Sequence, residues 1–303
     1  IEEGAEMNEL IPSTENLSFY SLCLQSGSSH YFPIPHDLVV PKPKGNNRLI
    51  AQLLTLEPAP KYSNALTSHV LKSSVDGKSE DEPLLVEITA LEKYLQGEFE
   101  NLVVKKRSDF ITPESKIGIG RDRDSNIADG GKLFRIQANR LATVVGKTIQ
   151  KLRFSLSYDG LELPENGWMA FGGERRVAFF EKSDTFEIPS PDIENGLFKI
   201  YLSTPAVFAG GWNPTELLKH HDLTLLAAAL DRLVHIGGWD LEKNKPKPML
   251  QCVPAGAVYY VEAKDSEKAK KAAKAIHGKP ISDNLNNTDY KAQGFGIAYV
   301  GKI

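Results

Sequence analysis

The C-terminal part of the chain predicts an ordered series of strands and helices, and this series constrains the fold more than any other feature. A β-prone run at 198–202 is followed by a predicted helix over 223–234. A strand at 257–263, a helix over 265–276 and a strand at 294–300 come next. One further strand is expected between the first helix and the strand at 257–263. The order is then strand, helix, strand, strand, helix, strand. That order is the β-α-β-β-α-β plan of a ferredoxin-like domain.

The two predicted helices rest on apolar spacing and on end signals. The first has apolar residues at helical intervals, and these are Leu223, Leu226, Ala227, Leu230 and Leu233 or Val234. The second begins at the cap candidate Asp265 and ends at Gly278. Its apolar stripe consists of Ala269, Ala272, Ala273 and Ile276.

The N-terminal part shows weaker pieces of the same plan. Strands are predicted at 19–24, 132–141 and 177–181, and a short helix at 89–97. Residues 44–83 are rich in Ser, Asn, Lys and Pro, which favours a loop or an insertion. An opening strand and helix are not evident, and the chain begins with Ile-Glu-Glu-Gly instead of Met. We therefore expect a fragment, or a list of ordered residues with gaps closed up.

A proline-rich break at 188–191 predicts the domain boundary. The expected fold is α+β, with two ferredoxin-like (RRM-like) domains that carry insertions: residues 1–189, whose opening strand and helix are missing, and residues 190–303. Sheets of this kind can leave one face free for RNA while helices cover the other.

The bulk composition limits the classes of function. The formal net charge is −3 over 303 residues, so a polyanion site must be a local basic patch. Cys23 and Cys252 lie far apart with no metal-ligand spacing, which favours a reducing, cytoplasmic compartment and excludes a zinc ribbon. No apolar run is long enough to span a bilayer, so no membrane partner is expected.

The stretch 167–181 is the strongest candidate for a polyanion site. Gly172 and Gly173 follow an aromatic run and precede Glu174, Arg175 and Arg176. Paired glycines leave a backbone without Cβ atoms, and guanidinium groups bind phosphate in a fork geometry. The alternative is a β-hairpin with Gly-Gly in its turn and ordinary solvated charges.

A second basic run, 116–124, contains Lys116, Arg121 and Arg123. Gly118-x-Gly120 lacks the third glycine and the preceding strand of a dinucleotide fingerprint. The spacing of Asp122 and Asp124 resembles a calcium loop, but Ile127 and Leu133 occupy the positions that require glycine and glutamate. The run is therefore interpreted as a basic, hairpin-like segment leading to the strand at 132–141.

No catalytic motif is visible. His220, His221 and His235 lack the spacing of a metallohydrolase, and the first two are expected at the start of a helix. No nucleophile elbow or Walker loop occurs. Trp168, Trp212 and Trp239 each adjoin glycines, and packing into the core is favoured over stacking on bases.

Several motifs in a fixed order give the chain a family resemblance. They are Lys116-Ile117-Gly118-Ile119, Gly130-Gly131-Lys132-Leu133-Phe134, Phe171-Gly172-Gly173-Glu174-Arg175-Arg176-Val177-Ala178, Tyr201-Leu202-Ser203-Thr204-Pro205-Ala206, Gly237-Gly238-Trp239-Asp240, Lys245-Pro246-Lys247-Pro248, Val253-Pro254-Ala255-Gly256-Ala257-Val258-Tyr259 and Gly294-Phe295-Gly296. Together they span roughly residues 115–303. The chain resembles the third subunit of the Cmr complex, the type III-B CRISPR RNA-guided effector, within the RAMP superfamily.

This resemblance implies a non-catalytic RNA-binding subunit with no cofactor and no metal. Such a subunit holds the 5′ tag of the crRNA, pairs with the large signature subunit and adjoins a neighbouring RAMP backbone subunit. The residues expected to bind RNA are Gly172, Gly173, Arg175, Arg176, Lys116, Arg121, Arg123, Gly294 and Gly296.

Other interpretations stay open at this point. A RAMP-type, metal-independent endoribonuclease that matures crRNA would need a histidine or tyrosine near a glycine-rich loop, and His36 is the candidate histidine in the first domain. A protein scaffold without RNA contact is a third possibility. Glu174 and Arg176 could form an internal ion pair, and Gly294-x-Gly296 could simply turn the chain.

Overall fold

The computed structural model describes residues 16–42, 48–61, 66–74, 79–122, 124–125, 127–145, 148–171, 177–240, 243–285 and 288–303. Within these residues the chain is α+β and mostly β. Its α-helices are α1 (Ile88–Gln96), α2 (Thr215–His220) and α3 (Ser266–Ile276), and short 3-10 helices cover Arg107–Asp109 and Lys291–Gln293. No helix in the described part of the chain combines the length and apolar character needed to cross a bilayer.

All strand pairs among the described residues are antiparallel. In chain order the strands are β1 (Ser18–Ser26), β2 (Ser29–Pro33), β3 (Leu38–Val39), β4 (Ile50–Leu53), β5 (Thr55–Pro58), β6 (His69–Lys72), β7 (Leu84–Glu87), β8 (Leu102–Lys106), β9 (Ile111–Arg121), β10 (Ala128–Val145), β11 (Thr148–Asp159), β12 (Asn166–Ala170), β13 (Val177–Glu181), β14 (Leu197–Leu202), β15 (Leu223–Ala229), β16 (Val234–Ile236), β17 (Trp239–Asp240), β18 (Lys245–Pro246), β19 (Leu250–Cys252), β20 (Val258–Ala263), β21 (Lys279–Pro280) and β22 (Ile297–Gly301).

The C-terminal sheet has the strand order β15-β20-β14-β22-β21. The elements β14, α2, β15, β20, α3 and β22 follow the predicted order of element types, with the short strands β16–β19 and β21 between them, but two of these elements occupy other residues than predicted. The prediction of a helix over 223–234 is wrong, because residues 223–229 form strand β15 and the helix α2 precedes it. His220 and His221 therefore lie at the end of a helix and not at its start. Helix α3 is confirmed, with the Asp265 carboxylate accepting a hydrogen bond of 2.8 Å from the Lys268 amide.

The N-terminal sheet has nine strands in the order β3-β4-β8-β7-β2-β1-β11-β10-β9. The helix predicted at 89–97 is confirmed as α1, which ends at Gly97 in the left-handed conformation, φ 89°. Residues 44–83 were expected to be a loop or an insertion, and the loop alternative is wrong in part, because β4, β5 and β6 lie there. In this sheet β1 pairs with β2 and β7 pairs with β8, which are consecutive in the chain, whereas β2 pairs with β7 across the intervening strands β3–β6.

The five-stranded sheet is covered on both faces. One face packs Phe198, Ile200 and Val261 against α2 and α3 in a core shared with Leu218 and Ile276. The other face packs against β2, β7, β8 and α1 of the N-terminal sheet. The side chains joined in this second core include Phe32, Val86, Leu91, Tyr94, Leu102, Tyr201, Leu226, Val258, Tyr260 and Tyr299. The expected RNA-accessible face of this sheet is therefore occupied by the chain itself.

A buried polar network also joins the two sheets. The hydroxyls of Tyr94 and Tyr260 each donate a hydrogen bond of 2.7 Å to the Asp37 carboxylate. Lys199 Nζ lies 3.5 Å from Asp37 Oδ2 and 3.5 Å from the centre of the Tyr94 ring. Asp37 and Lys199 are both fully buried. Burial lowers the pKa of Lys199 to about 8, and the neighbouring Asp37 opposes that shift.

Candidate RNA-binding surface

A long hairpin of β9 and β10 carries the predicted basic run. The two strands pair from Ile111 with Leu141 to Arg121 with Ala128, and β9 forms the edge of the nine-stranded sheet. The register shifts between Ala128 and Leu133, so residues 129–132 of β10 lie opposite Gly120 of β9. The basic run at 116–124 was interpreted as hairpin-like and as leading to a strand at 132–141, and both parts are confirmed by the β9/β10 hairpin.

Lys116 and Arg121 both lie on β9 with exposed side chains. Neither has an ion-pair or hydrogen-bond partner among the residues that the structure describes. Arg140, by contrast, forms a salt bridge of 3.0 Å with Glu114 on the same hairpin. Lys116 and Arg121 are therefore available for an external anion, whereas the charge of Arg140 is largely compensated.

One face of this hairpin presents an aromatic ring between two lysines. Side chains alternate along a strand, so Lys116, Gly118 and Gly120 share a face. Phe134 pairs with Gly118, and a Cβ added to Gly118 would lie 2.4 Å from Phe134 Cζ. The outer end of the ring thus leans over the glycine. Lys132 lies over Gly120 in the same way, because a Cβ added to Gly120 would lie 2.8 Å from Lys132 Cβ.

The opposite face of the hairpin is aliphatic and equally open. Ile117 pairs across from Arg135, and Ile119 pairs with Leu133. Ile117 and Leu133 are 72% and 70% exposed. Arg135 donates to Ser115 Oγ at 2.8 Å on this face. We call these two surfaces the Phe134 face (Lys116, Lys132, Phe134) and the aliphatic face (Ile117, Ile119, Leu133).

A second hairpin brackets the Gly-Gly motif. Strands β12 and β13 pair from Asn166 with Glu181 to Ala170 with Val177, as the hairpin interpretation requires. Gly172, Gly173, Arg175 and Arg176 fall between them and lie outside the described residues, as does Arg123.

The second hairpin also exposes aromatic side chains. Trp168 is 72% exposed and contacts Phe179 edge-on, with ring centres 5.2 Å apart. Outside this hairpin, Trp239 on β17 is 51% exposed. The preference for core packing is therefore wrong for these two tryptophans, whereas Trp212 packs partly buried against the C-terminal core.

Gly294 and Gly296 lie in the segment that leads into β22, next to β1. Both have left-handed φ values, 77° and 78°. The Thr204 hydroxyl donates to Gly294 O at 2.8 Å, and the Gly296 amide donates to Pro205 O at 2.8 Å. A Cβ on Gly296 would lie 2.7 Å from Ser282 Oγ. Contacts within the chain thus account for both glycines, and their role toward RNA stays a prediction.

His36 and His277 both make contacts within the chain. His36 donates its amide to Gly256 O at 2.8 Å, and burial lowers the pKa of its imidazole. His277 accepts from the Val300 amide through Nδ1 at 3.1 Å, and its Nε2 lies 2.7 Å from Ile188 O. Among the described residues no cluster of His, Cys, Asp and Glu could hold a metal ion.

Two side chains stand out that the sequence did not single out as RNA contacts. Phe134 belongs to the motif at 130–134 but not to the residues predicted to bind RNA, and Trp168 is predicted to pack into the core. The sequence feature that could have indicated Phe134 is the glycine opposite it on the paired strand, because a residue without Cβ lets a ring lie over the backbone.

Comparison with known proteins places the chain in a family. Residues 2–303 match the model of the family described as CRISPR-associated protein (Cas_Cmr3), and the chain belongs to that family. The prediction of a Cmr-family CRISPR protein is thereby confirmed. A comparison with curated protein sequences gives no match.

Solved structures give more distant similarities. Two are chains of the type III-B Cmr-beta complex: one bound to cognate target RNA, with 14% identity and TM-score 0.47, and one also bound to AMPPnP, with 15% identity and TM-score 0.46. Each similarity covers 80% of this chain, but this chain spans only 64% and 66% of theirs. A Csm3-Csm4 subcomplex of the type III-A interference complex matches at 13% identity and TM-score 0.29, over 82% of both chains.

Proposed function

We propose that this chain is a non-catalytic RNA-binding subunit of a type III-B CRISPR effector, in which it holds the 5′ tag of the crRNA. The proposal assigns it the position of the third Cmr subunit, next to the large signature subunit and a RAMP backbone subunit. The observation that carries it is the β9/β10 hairpin, where Lys116 and Arg121 are exposed and unpaired among the described residues. Family membership supplies the biological setting.

The architecture supports a hairpin-based site and not a sheet-based one. The C-terminal strands β14, β15, β20 and β22 follow the ferredoxin-like order, and we propose residues 190–303 as that domain. Residues 1–189 would form the second RAMP unit. Because the inner face of the C-terminal sheet is covered by the N-terminal sheet, RNA would contact loops and hairpins instead.

The experiment is a salt titration of guide-RNA binding in the assembled complex. Lys116→Ala/Arg121→Ala should weaken binding of the tag about tenfold or more. Each phosphate contact to single-stranded RNA contributes about 0.7 to the slope of log K against log salt, so the slope should fall by about 1.4. Arg175→Ala/Arg176→Ala tests the Gly-Gly motif in the same way.

The matched control is Lys42→Ala/Lys72→Ala. It removes the same charge, but these lysines are paired with Asp81 and Glu57 away from the hairpin. Its affinity and salt slope should stay those of the unmodified chain. Equal behaviour of all three double variants would contradict the RNA site.

The absence of catalysis is tested separately. Incubation of the chain with crRNA repeat RNA should leave the RNA intact, and His36→Ala should change nothing. Defined cleavage of the repeat that is lost in His36→Ala would establish the endoribonuclease alternative.

A further inference from the structure

We propose that Phe134 is a base-stacking residue and that RNA lies along the Phe134 face of the β9/β10 hairpin. The inference rests on the proposed function, which it deepens by naming the face and the kind of contact. A single-stranded nucleic acid is held by cations that follow the backbone and by aromatic rings that stack bases. On this hairpin the Phe134 face supplies both.

The geometry of the ring carries the argument. Phe134 is 48% exposed although it lies on a paired strand, and its outer end leans over Gly118. Gly118 has no left-handed φ, so its backbone conformation does not demand glycine. What demands glycine there is the ring, because an added Cβ would lie 2.4 Å from Phe134 Cζ. The sequence thus keeps an aromatic ring in one position on an otherwise solvated surface.

The neighbours of the ring favour RNA over an apolar partner on this face. Lys116 and Lys132 lie on the same face as Phe134, one on either side of it. Lys116 pairs with Ile136, two residues along β10 from Phe134, and Lys132 lies over Gly120 on the other side. Single-stranded RNA offers a base for the ring and a phosphate for Lys116, which has no partner among the described residues. The aliphatic face of the same hairpin carries no ring, although Arg121 and Arg135 lie there.

The test compares three variants in the assembled complex with guide RNA. Phe134→Leu removes the π-face and keeps apolar volume, and it should weaken tag binding about 5- to 150-fold, the range for stacking of one base. The salt slope should not change, because stacking neutralises no phosphate. Gly118→Ala should cause a comparable loss by displacing the ring. Phe134→Tyr should bind like the unmodified chain.

An abasic scan locates the contact. Removing the base that stacks should cost affinity in the unmodified chain and cost nothing further in Phe134→Leu. Abasic sites elsewhere should cost the same in both proteins. Leu133→Ala, on the aliphatic face of the same strand, is the matched control and should leave binding unchanged.

The outcomes separate this inference from the function it rests on. If Phe134→Leu binds like the unmodified chain while Lys116→Ala/Arg121→Ala is weakened, the stacking proposal fails and the RNA site stands. If neither variant is affected, both fail. If Phe134→Leu disrupts subunit assembly while the free chain keeps its RNA affinity, the ring is a protein contact and the proposal is overturned. Unchanged thermal unfolding of each variant shows that the fold is intact.

Discussion

The C-terminal sheet and the two hairpins use apolar residues in opposite ways. All five residues of β22 are buried, as are five of the six in β20. No residue of β12 or β13 is buried, although these strands contain Trp168, Met169, Val177 and Phe179. The fold buries the apolar side chains of the C-terminal sheet and buries none of those of β12 and β13.

The contrast separates stability from recognition. Burial of the C-terminal sheet between the helices and the N-terminal sheet stabilises the chain through ordinary removal of apolar area from water. A cluster of exposed apolar side chains of this kind marks a surface that meets something else. We therefore expect substitutions in the sheet to change the free energy of unfolding, and substitutions of the exposed rings Phe134 and Trp168 in the hairpins to change binding.

The largest effect on stability is expected at the buried polar network. Asp37→Ala removes the acceptor of both tyrosine hydroxyls and leaves Lys199 without its counter-charge. Breaking a buried pair from one side costs about 3–5 kcal/mol of unfolding free energy. Denaturant unfolding at pH 7 measures the loss, and Asp37→Asn offers a milder variant if the first does not fold. Asp81→Ala, which breaks an exposed pair with Lys42, is the control and should cost about 0.5 kcal/mol or less. A similar small cost for Asp37→Ala would show that the network does not couple the two sheets.

A smaller effect is expected from the titration of Lys199. Its pKa is lowered by burial to about 8 in the folded chain, against an ordinary value of about 10.4 in the unfolded chain. Between these values the unfolded state binds more protons, so stability due to this group rises with pH. The difference in unfolding free energy between the unmodified chain and Lys199→Met should change by about 2 kcal/mol from pH 7 to pH 9.5, in favour of the unmodified chain. Burial raises the pKa of Cys23, and the titration of this thiol changes stability with pH in the opposite direction. Because both proteins contain Cys23, its contribution cancels in the difference. A constant difference over this range would mean that folding does not lower the pKa of Lys199.

The sequence predicted the elements whose determinants are local. Helix α3 has its cap at Asp265 and its stripe at Ala269, Ala272, Ala273 and Ile276, and all were identified. Strand β15 was misassigned because it is buried on both faces, with Leu223 in one core and Leu226 in the other. A bulge between Leu225 and Ala227 also breaks the alternation expected of a strand. The spacing of its apolar residues is therefore also that of a helix, and it is the pairing with β20 that makes this segment a strand.

The candidate site was predictable only in part, for a similar reason. Lys116 and Arg121 were found from their charge, and their exposure follows from their place on an edge strand. Phe134 gains meaning only from the register that sets it against Gly118. The hydrogen bond from Thr204 to Gly294 O joins motifs that are far apart in sequence, and no local pattern predicts it.

The smallest effect on stability, and the sharpest test of the comparison, is expected at Trp168. Trp168→Ala should change the free energy of global unfolding by about 0.5 kcal/mol or less, because the ring is mostly exposed and β12 and β13 pair only with each other among the described strands. Tyr201→Ala is the matched substitution in the sheet. It removes a fully buried ring whose hydroxyl donates to Pro33 O at 2.7 Å, and it should cost about 3–5 kcal/mol. Denaturant unfolding of both variants measures the gap. If Trp168→Ala costs as much as Tyr201→Ala, the hairpin belongs to the cooperative core, and its exposed rings are no longer an argument for a binding surface.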